Sequence, residues 1–170
     1  MKLILVMAAT LDGKIARSSM ERIDWTGKAD KQYFVRQTKK SGVMIMGSKT
    51  FDTIGTVLPG RKSIVLTRDK TRISHDPDLV FTAQSPEAIL ADLESQGYAS
   101  ACLIGGSVIN GLFMAKHLID EVHLTLVPKV FGQGLSLFDR FLDAQLVLLE
   151  IQKLEDNSLV LRYQVDQPKK

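Results

Sequence analysis

Two glycine-containing segments have the residue types that bind phosphate groups. In "VMIMGSKTF" and "CLIGGSVI" an apolar run ends in glycine, at Gly47 and at Gly105 with Gly106, just before residues that can begin a helix. The first backbone N–H groups of a helix attract anions, and Lys49 adds a positive charge beside the first segment. Neither segment is a Walker loop or a complete G-x-G-x-x-G motif. Together they predict an extended ligand that carries phosphate, although either glycine turn alone is equally consistent with close helix packing.

Asp30 is a candidate for acid–base chemistry. Phe34 lies four residues later on the same face of a predicted helix, and Trp25 precedes Asp30 by five residues. An apolar pocket formed by these rings would raise the pKa of the carboxyl group and let it supply a proton. The commoner role of an acidic residue in a first helical turn is to compensate the helix dipole. In "EVHLTLVP" strand alternation turns Thr125 away from its apolar neighbours, where its hydroxyl can face a cavity.

Arg68 is a candidate ligand for a terminal phosphate. It follows Thr67 at the end of an apolar run, and ligands of open α/β sheets collect at the carboxyl ends of the strands. A guanidinium can bind phosphate through two parallel hydrogen bonds. For a single arginine, however, a solvated charge at a strand end is the commoner explanation.

The spacing of histidines and carboxylates predicts no metal site. No histidine has a partner at zinc-ligand spacing, and the acidic residues form no calcium-binding loop pattern. No G-x-S-x-G segment occurs either, so a Ser-His-Asp hydrolase is not supported. We interpret each histidine as a surface residue or strand filler: His75, His117 and His123.

Length and composition are those of one globular domain. The chain has 170 residues, of which 45% are hydrophobic and 24% charged. We place the domain at residues 1–166 and interpret residues 167–170 as a frayed tail. The net charge of +3 favours an anionic ligand, but the basic residues form no stripe with interleaved aromatics, so we expect no nucleic-acid partner.

Two features bear on the cellular location. No segment approaches the ~20 apolar residues of a membrane span, and "MKLILVMAAT" is better interpreted as a buried first strand than as a signal peptide. Cys102 is the single cysteine, which excludes a disulfide within the chain and a thiolate metal cluster. We therefore expect a cytoplasmic protein that acts on a small molecule, without a membrane partner, either as a monomer or as a homodimer.

Short apolar runs between helical patterns predict an α/β fold. Runs such as "LILVMAA", "SIVLT" and "ACLIG" are typical of strands buried on both faces, hence of a mainly parallel sheet flanked by helices. Helices are predicted within 28–40, from the Ser85-Pro86-Glu87 start to Gly97, and from a Ser107 cap toward Lys116. "LVLLEIQKL" and "SLVLRYQV" around "EDN" predict a C-terminal antiparallel hairpin at the sheet edge.

Four segments together resemble the dihydrofolate reductase family. They are "WTGKAD" (25–30), "MGSKTFDTIGTVLPGRKSIVLTR" (46–68), "IGG" (104–106) and "HLTLV" (123–127), which stand in the family's order and close to its spacing. The resemblance covers the whole chain. It implies the mixed sheet of that family, NADPH as the cofactor, and reduction of 7,8-dihydrofolate to tetrahydrofolate by hydride transfer to a C=N bond. Lys49 and Arg68 favour NADPH over NADH.

The resemblance also implies roles for individual residues and requires no metal. It places Asp30, Trp25 and Thr125 in the catalytic group, and residues 16–24 in a mobile active-site loop. The substrate-binding residues that it implies are Met7, Ala8, Asp30, Phe34, Ile54, Arg61 and Thr125, with Arg61 on the carboxylate tail. The cofactor-binding residues that it implies are Ala9, Ile15, Gly47, Ser48, Lys49, Thr50, Leu66, Thr67, Arg68, Ile104, Gly105, Gly106, Ser107 and Val108.

Two alternatives remain open. "LDGKIA" (11–16) and "PKVFGQGLSLF" (128–138) are more similar to the riboflavin-pathway reductase branch, which acts on 5-amino-6-ribosylaminopyrimidine; there Arg61 would bind phosphate. Ser107 and Asn110 stand where the family often has a glycine and an aromatic residue. A non-catalytic NADPH-binding module of the same fold is therefore the second alternative, because a fold does not by itself carry a function.

Overall fold

A mixed eight-stranded sheet organises residues 1–166, the part of the chain that the computed structural model describes. The predicted tail at 167–170 lies outside the described residues. The strands are β1 (Lys2–Thr10), β2 (Lys14–Ala16), β3 (Val43–Gly47), β4 (Lys62–Leu66), β5 (Leu79–Thr82), β6 (Ser100–Leu103), β7 (Glu121–Val127), β8 (Leu135–Ser136), β9 (Leu146–Lys153) and β10 (Leu159–Val165). The helices are α1 (Lys28–Ser41), α2 (Ser48–Ile54), α3 (Pro86–Ser95) and α4 (Ser107–Ala115).

The strand order is β5-β4-β3-β6-β1-β7-β10-β9. β10 runs antiparallel to β7 and β9, and the other neighbours in this sheet pair in parallel. The predicted mainly parallel sheet with a C-terminal antiparallel hairpin is confirmed. A small second sheet, which the sequence did not predict, pairs β2 with β8.

Helices cover both faces of the sheet. Ile89 of α3 and Phe113 of α4 pack into the core on one face, whereas Phe34 of α1 and Phe51 of α2 pack on the other. The helices that follow β1 and β6, which are neighbours in the sheet, therefore leave toward opposite faces. In open α/β sheets such a switch point leaves a crevice at the carboxyl ends of the strands.

The helix ends show which local predictions were correct. Ser85 caps α3 as expected, because its hydroxyl accepts a 3.2 Å hydrogen bond from the Ala88 N–H. The predicted Ser107 cap of α4 is wrong: Gly106 is the N-cap residue, Ser107 is already helical, and no side chain caps the helix. Within residues 1–166, the N-cap side of α4 thus offers N–H groups that no capping side chain satisfies.

The β9 strand forms an exposed edge of the sheet, and all eight of its residues are exposed. They include the large apolar side chains of Leu146, Val147, Leu148, Leu149 and Ile151. No helix within residues 1–166 combines the length and the hydropathy that a membrane crossing needs.

Candidate active site

Asp30 and Thr125 face each other between α1 and the sheet. Asp30 lies in the first turn of α1 and is 8% exposed, while Thr125 on β7 is 2% exposed. Burial raises the pKa of the Asp30 carboxyl, and the hydroxyls of Thr125 and Thr26 oppose this shift only in part. Asp30 is therefore a buried acid that keeps its proton to a higher pH than a solvated aspartate does.

A second carboxyl group lies near Asp30. The turn between β9 and β10 places Asp156 against the α1 N-cap residue Gly27, where its side chain occupies the position that a β-carbon would take. The Asp156 charge raises the pKa of Asp30 further. Sequence reasoning missed Asp156, because no local pattern connects a hairpin turn with the start of a distant helix.

Trp25 supplies a buried hydrogen-bond donor. It is 5% exposed and packs edge-on against Phe131, with 5.2 Å between the ring centroids. The guanidinium of Arg17 lies 3.9 Å from the centroid of the same Phe131 ring. The indole Nε1 is buried and has no hydrogen-bond partner within residues 1–166. Since an indole N–H can only donate, this position suits a ligand or a water that offers an acceptor.

One face of α1 leads from Asp30 to a buried cation. Asp30, Phe34 and Thr38 follow each other at intervals of four residues, which aligns them along the helix. Arg61 is 5% exposed and donates hydrogen bonds of 3.0 Å to the Thr38 hydroxyl and 3.3 Å to the Pro59 carbonyl.

No carboxylate within residues 1–166 forms an ion pair with Arg61. Burial lowers the pKa of this guanidinium, which nevertheless stays charged. A buried charge without a counter-ion is costly, so this position favours an anionic group from a ligand. Thr38 lies eight positions after Asp30 along α1, a rise of about 12 Å.

The other predicted substrate residues divide between the two faces of the sheet. Phe34 and Ile54 both pack against the core cluster under α1 and α2. Ala8 pairs with Thr125 and shares its face, because paired residues of neighbouring strands point the same way. The Met7 thioether lies on the opposite face, within 3.1 Å of the position that a β-carbon on Gly105 would take.

The two glycine-rich segments meet and form one cradle. The Gly47 N–H donates a 2.8 Å hydrogen bond to the Gly105 carbonyl. A β-carbon on Gly47 would lie 2.9 Å from the Ile109 side chain, and one on Gly106 would lie 3.4 Å from the Thr50 hydroxyl. The N-termini of α2 and α4 are thus adjacent, and both have a glycine N-cap without a side-chain hydrogen bond.

This cradle fits the phosphates of a dinucleotide. Free N–H groups at two helix starts attract anions, and glycine lets a phosphate approach the backbone. Lys49 and Arg68 are exposed, and neither is ion-paired within residues 1–166. Gly47 pairs with Leu66, so that Thr67 and Arg68 emerge beside the cradle.

The remaining predicted cofactor residues lie at the ends of the central strands or beside the cradle. Ala9 is 1% exposed near the end of β1, and Ile15 is 6% exposed on β2. Ile104 is buried directly after β6. The last group stands at the helix starts: Ser48 and Thr50 in α2, and Ser107 and Val108 in α4.

His123 is part of a buried hydrogen-bond network, so interpreting it as strand filler was wrong. Its Nδ1 lies 2.9 Å from the Tyr33 hydroxyl of α1, and its Nε2 lies 3.0 Å from a carboxylate oxygen of Glu121. Burial lowers the pKa of His123, although the bond to Glu121 opposes this shift. Burial also raises the pKa of Tyr33 to about 12. The network fixes α1, and with it Asp30, against the sheet.

Asp12 connects two loops near the end of β1. Its carboxylate accepts hydrogen bonds of 3.2 Å from the Phe131 N–H and 2.7 Å from the Gly132 N–H. The hydrogen bond from the Thr10 hydroxyl is the main cause that lowers the pKa of Asp12. The segments 11–16 and 128–138, which are distant in the sequence, therefore meet beside Trp25 and Phe131.

Comparisons with known proteins agree with this geometry. The sequence profile described as "Dihydrofolate reductase" matches residues 2–166. The dihydrofolate reductase of Lactococcus lactis is 32% identical over 137 residues, which cover 80% of this chain and 78% of that protein.

Two solved structures share the fold. RibD of Acinetobacter baumannii has a TM-score of 0.86 at 19% identity, over 98% of this chain and 58% of that one. A pyrimidine reductase-like protein of Corynebacterium diphtheriae has a TM-score of 0.79 at 14% identity, over 98% and 92% of the two chains. The profile match spans nearly all of the described residues, and we conclude that the chain belongs to the dihydrofolate reductase family.

Proposed function

We propose that this protein reduces 7,8-dihydrofolate to tetrahydrofolate with NADPH. The observation that carries the proposal is the face of α1, which has the buried acid Asp30 at one end, the Phe34 ring in the middle, and Thr38 about 12 Å along the helix from Asp30. Thr38 accepts a hydrogen bond from Arg61, a buried cation without an ion-pair partner within residues 1–166. A reduced folate has an aminopyrimidine edge, a flat aromatic middle and a carboxylate tail in the same order. The crevice at the ends of β1 and β6, beside the cradle, supports the cofactor assignment.

The chain's own residues bind and orient the reactants. Asp30 binds the amino group and ring nitrogen of the pterin, and its raised pKa lets it hold a proton at a carboxyl oxygen close to the reacting C=N bond. Thr125 fixes the orientation of this carboxyl, and Trp25 and Phe34 exclude water from the ring. When bound, NADPH supplies the hydride, and the protein contributes position and electrostatics.

A second candidate reaction is reduction of 5-amino-6-ribosylaminopyrimidine. The observation in its favour is the junction at Asp12, which joins the two segments that resemble the riboflavin-pathway reductases. In that case Arg61 would bind the ribose phosphate. The carboxylate tail of folate accounts more directly for an acid and an arginine at opposite ends of the α1 face, so we place dihydrofolate first.

The test is oxidation of NADPH at 340 nm by purified protein, with dihydrofolate and the aminopyrimidine offered in parallel. Turnover with dihydrofolate alone is the expected result. Turnover with the pyrimidine alone would assign the second reaction. Tight NADPH binding without turnover of either substrate would instead support a non-catalytic module.

We further propose that the protein is a cytoplasmic homodimer. The single cysteine, Cys102, is a buried free thiol, which suits a reducing compartment. The outer edge of β9 leaves backbone groups unpaired and is apolar on both faces, a combination that natural sheets normally cover. A second copy of β9 fits this edge. In an antiparallel pair related by a two-fold axis, the aliphatic residues 146–149 of one copy lie beside the same residues of the other, and only Glu150 and Lys153 of the strand are charged.

A further inference from the structure

Arg72 joins the loop 67–72, which follows β4, to helix α2. The two terminal nitrogens of its guanidinium each donate a 2.7 Å hydrogen bond to one carboxylate oxygen of Asp52 in α2. The guanidinium also lies 5.7 Å from the centroid of the Phe81 ring on β5, and Phe81 packs edge-on against Phe51 of α2. A bidentate pair fixes orientation as well as distance, so Arg72 determines where this loop stands relative to α2.

The loop 67–72 is a compact turn that presents a free cation. The Asp69 N–H donates a 3.1 Å hydrogen bond to the Thr67 hydroxyl, and the Asp69 carboxylate accepts bonds of 2.9 and 2.6 Å from the N–H and hydroxyl of Thr71. Arg68 is exposed and has no ion-pair partner within residues 1–166. Because the turn holds its own shape, the bond at its end directs Thr67 and Arg68 as one unit.

Asp52 lies one helical turn from the cradle, where an uncompensated acid would repel a phosphate. It follows Ser48 by four residues and Lys49 by three, so these side chains are neighbours on the surface of α2. Arg72 binds both carboxylate oxygens of Asp52, whereas Lys49 forms no ion pair with any residue of 1–166. The pair thus neutralises the acid and leaves Lys49 available to an anion.

We infer that Arg72 positions Thr67 and Arg68 for the 2′-phosphate of NADPH. Through its pair with Asp52, Arg72 sets the preference for NADPH over NADH, and it does so as a positioning residue that does not itself touch the phosphate. The inference rests on the proposed function, since it needs the phosphorylated cofactor. NADH lacks only the 2′-phosphate, so a comparison of the two cofactors isolates this effect.

The test measures Kd for NADPH and for NADH by fluorescence titration. The proteins are the wild type, Arg72→Gln, and a double variant that exchanges the pair, Asp52→Arg with Arg72→Asp. We expect the wild type to prefer NADPH by about tenfold or more, the scale of one hydrogen bond between charged groups. Arg72→Gln should reduce this preference by about fivefold or more through a weaker NADPH complex, with the Kd for NADH within about twofold, and the exchanged pair should recover it.

Lys116→Gln is the matched control. It also removes one positive charge from a surface ion pair, that with Glu87 at the far end of α4, and should keep the wild-type preference. An unchanged preference in Arg72→Gln would overturn the inference, and so would equal weakening of both cofactors. Exposed ion pairs contribute little to folding, and the side chains of Arg72 and Asp52 are 29% and 33% exposed, so these variants should fold.

Failure of the proposed function gives a different result. A wild type that binds neither NADPH nor adenosine 2′,5′-bisphosphate has no cofactor site, which refutes the proposed function together with this inference. A wild type that binds NADPH and NADH equally well refutes only the inference.

Discussion

The guanidinium of Arg61 donates a 3.0 Å hydrogen bond to the hydroxyl of Thr38, on the same face of α1 as Asp30. This bond fixes a buried positive charge beside one end of a helix face whose other end holds a buried acid. Asp30 and Thr38 lie about two helical turns apart, so under the proposed function the ligand would be selected by its length and by the charge at its far end.

Replacing Arg61 by Met should raise the KM for dihydrofolate by about 10- to 100-fold with little change in kcat, because hydrogen bonds to charged groups are worth about 1.5–3 kcal/mol. Steady-state kinetics with a dihydropteridine that lacks the carboxylate tail is the control, and its KM should not change. A similar rise for both substrates would show that the variant distorts the substrate site instead of removing a charge.

Asp30→Asn should lower turnover by about 10² or more at neutral pH, the usual effect of removing a positioned acid–base group, and should leave NADPH binding intact. The same variant should be more stable. The folded state raises the pKa of Asp30, so it favours the protonated carboxyl. The stability that this preference adds is complete below the ordinary pKa of 3.8 and is lost as pH rises through the pKa of the folded protein. The Tm gain of the variant should therefore grow with pH above ~4, at roughly 2–4 °C per kcal/mol.

Asp156→Asn should lower the pKa of Asp30, since it removes the neighbouring charge that raises it. The pH profile of kcat/KM should shift toward lower pH, and a ¹³C NMR titration of the Asp30 carboxyl should show the same direction. Glu155→Gln alters an exposed acid in the same turn and serves as the control. A titration of Asp30 that does not move in Asp156→Asn would mean that Asp156 is too well screened to act on it.

His123→Gln should reduce the acid sensitivity of the fold. Burial lowers the pKa of His123 from its ordinary value of 6.5, so the folded state favours the neutral ring. The stability that this preference adds is complete above pH 6.5 and is lost as pH falls through the lowered pKa of the folded protein. The groups that face the ring are Tyr33 of α1, Glu121, Arg162 of β10 and Lys2 of β1. Urea unfolding of both proteins at several pH values between about 7 and 5 should show a smaller loss in the variant. Parallel losses would assign the acid sensitivity to other groups.

Ile151→Lys and Leu148→Lys should convert the proposed homodimer into a monomer, because each places a charge in an apolar edge that would pair with its own copy. Light scattering after size exclusion measures the mass directly. Val130→Lys changes an exposed apolar residue outside β9 and should leave the mass unchanged. A wild type that is monomeric at micromolar concentration would refute the dimer.

The sequence by itself determined the elements of the fold and much of the cradle. Alternation along 121–127 placed Glu121, His123 and Thr125 on one face, because successive side chains of a strand point in opposite directions. Ser85 marked the start of α3, since a cap depends only on a residue and the N–H groups that follow it. The two glycine turns after apolar runs were recognisable for the same reason, as short-range backbone geometry.

Only the tertiary structure decided which distant groups meet. It brought Asp156 next to Asp30, Asp12 under the Phe131 loop, and Tyr33 onto His123. It also left Ser107 inside α4 and gave the cap to Gly106, where the chain turns toward the neighbouring helix start. Burial and electrostatic contacts depend on strand order and on how helices pack across the sheet, and no pattern within a single segment encodes either one.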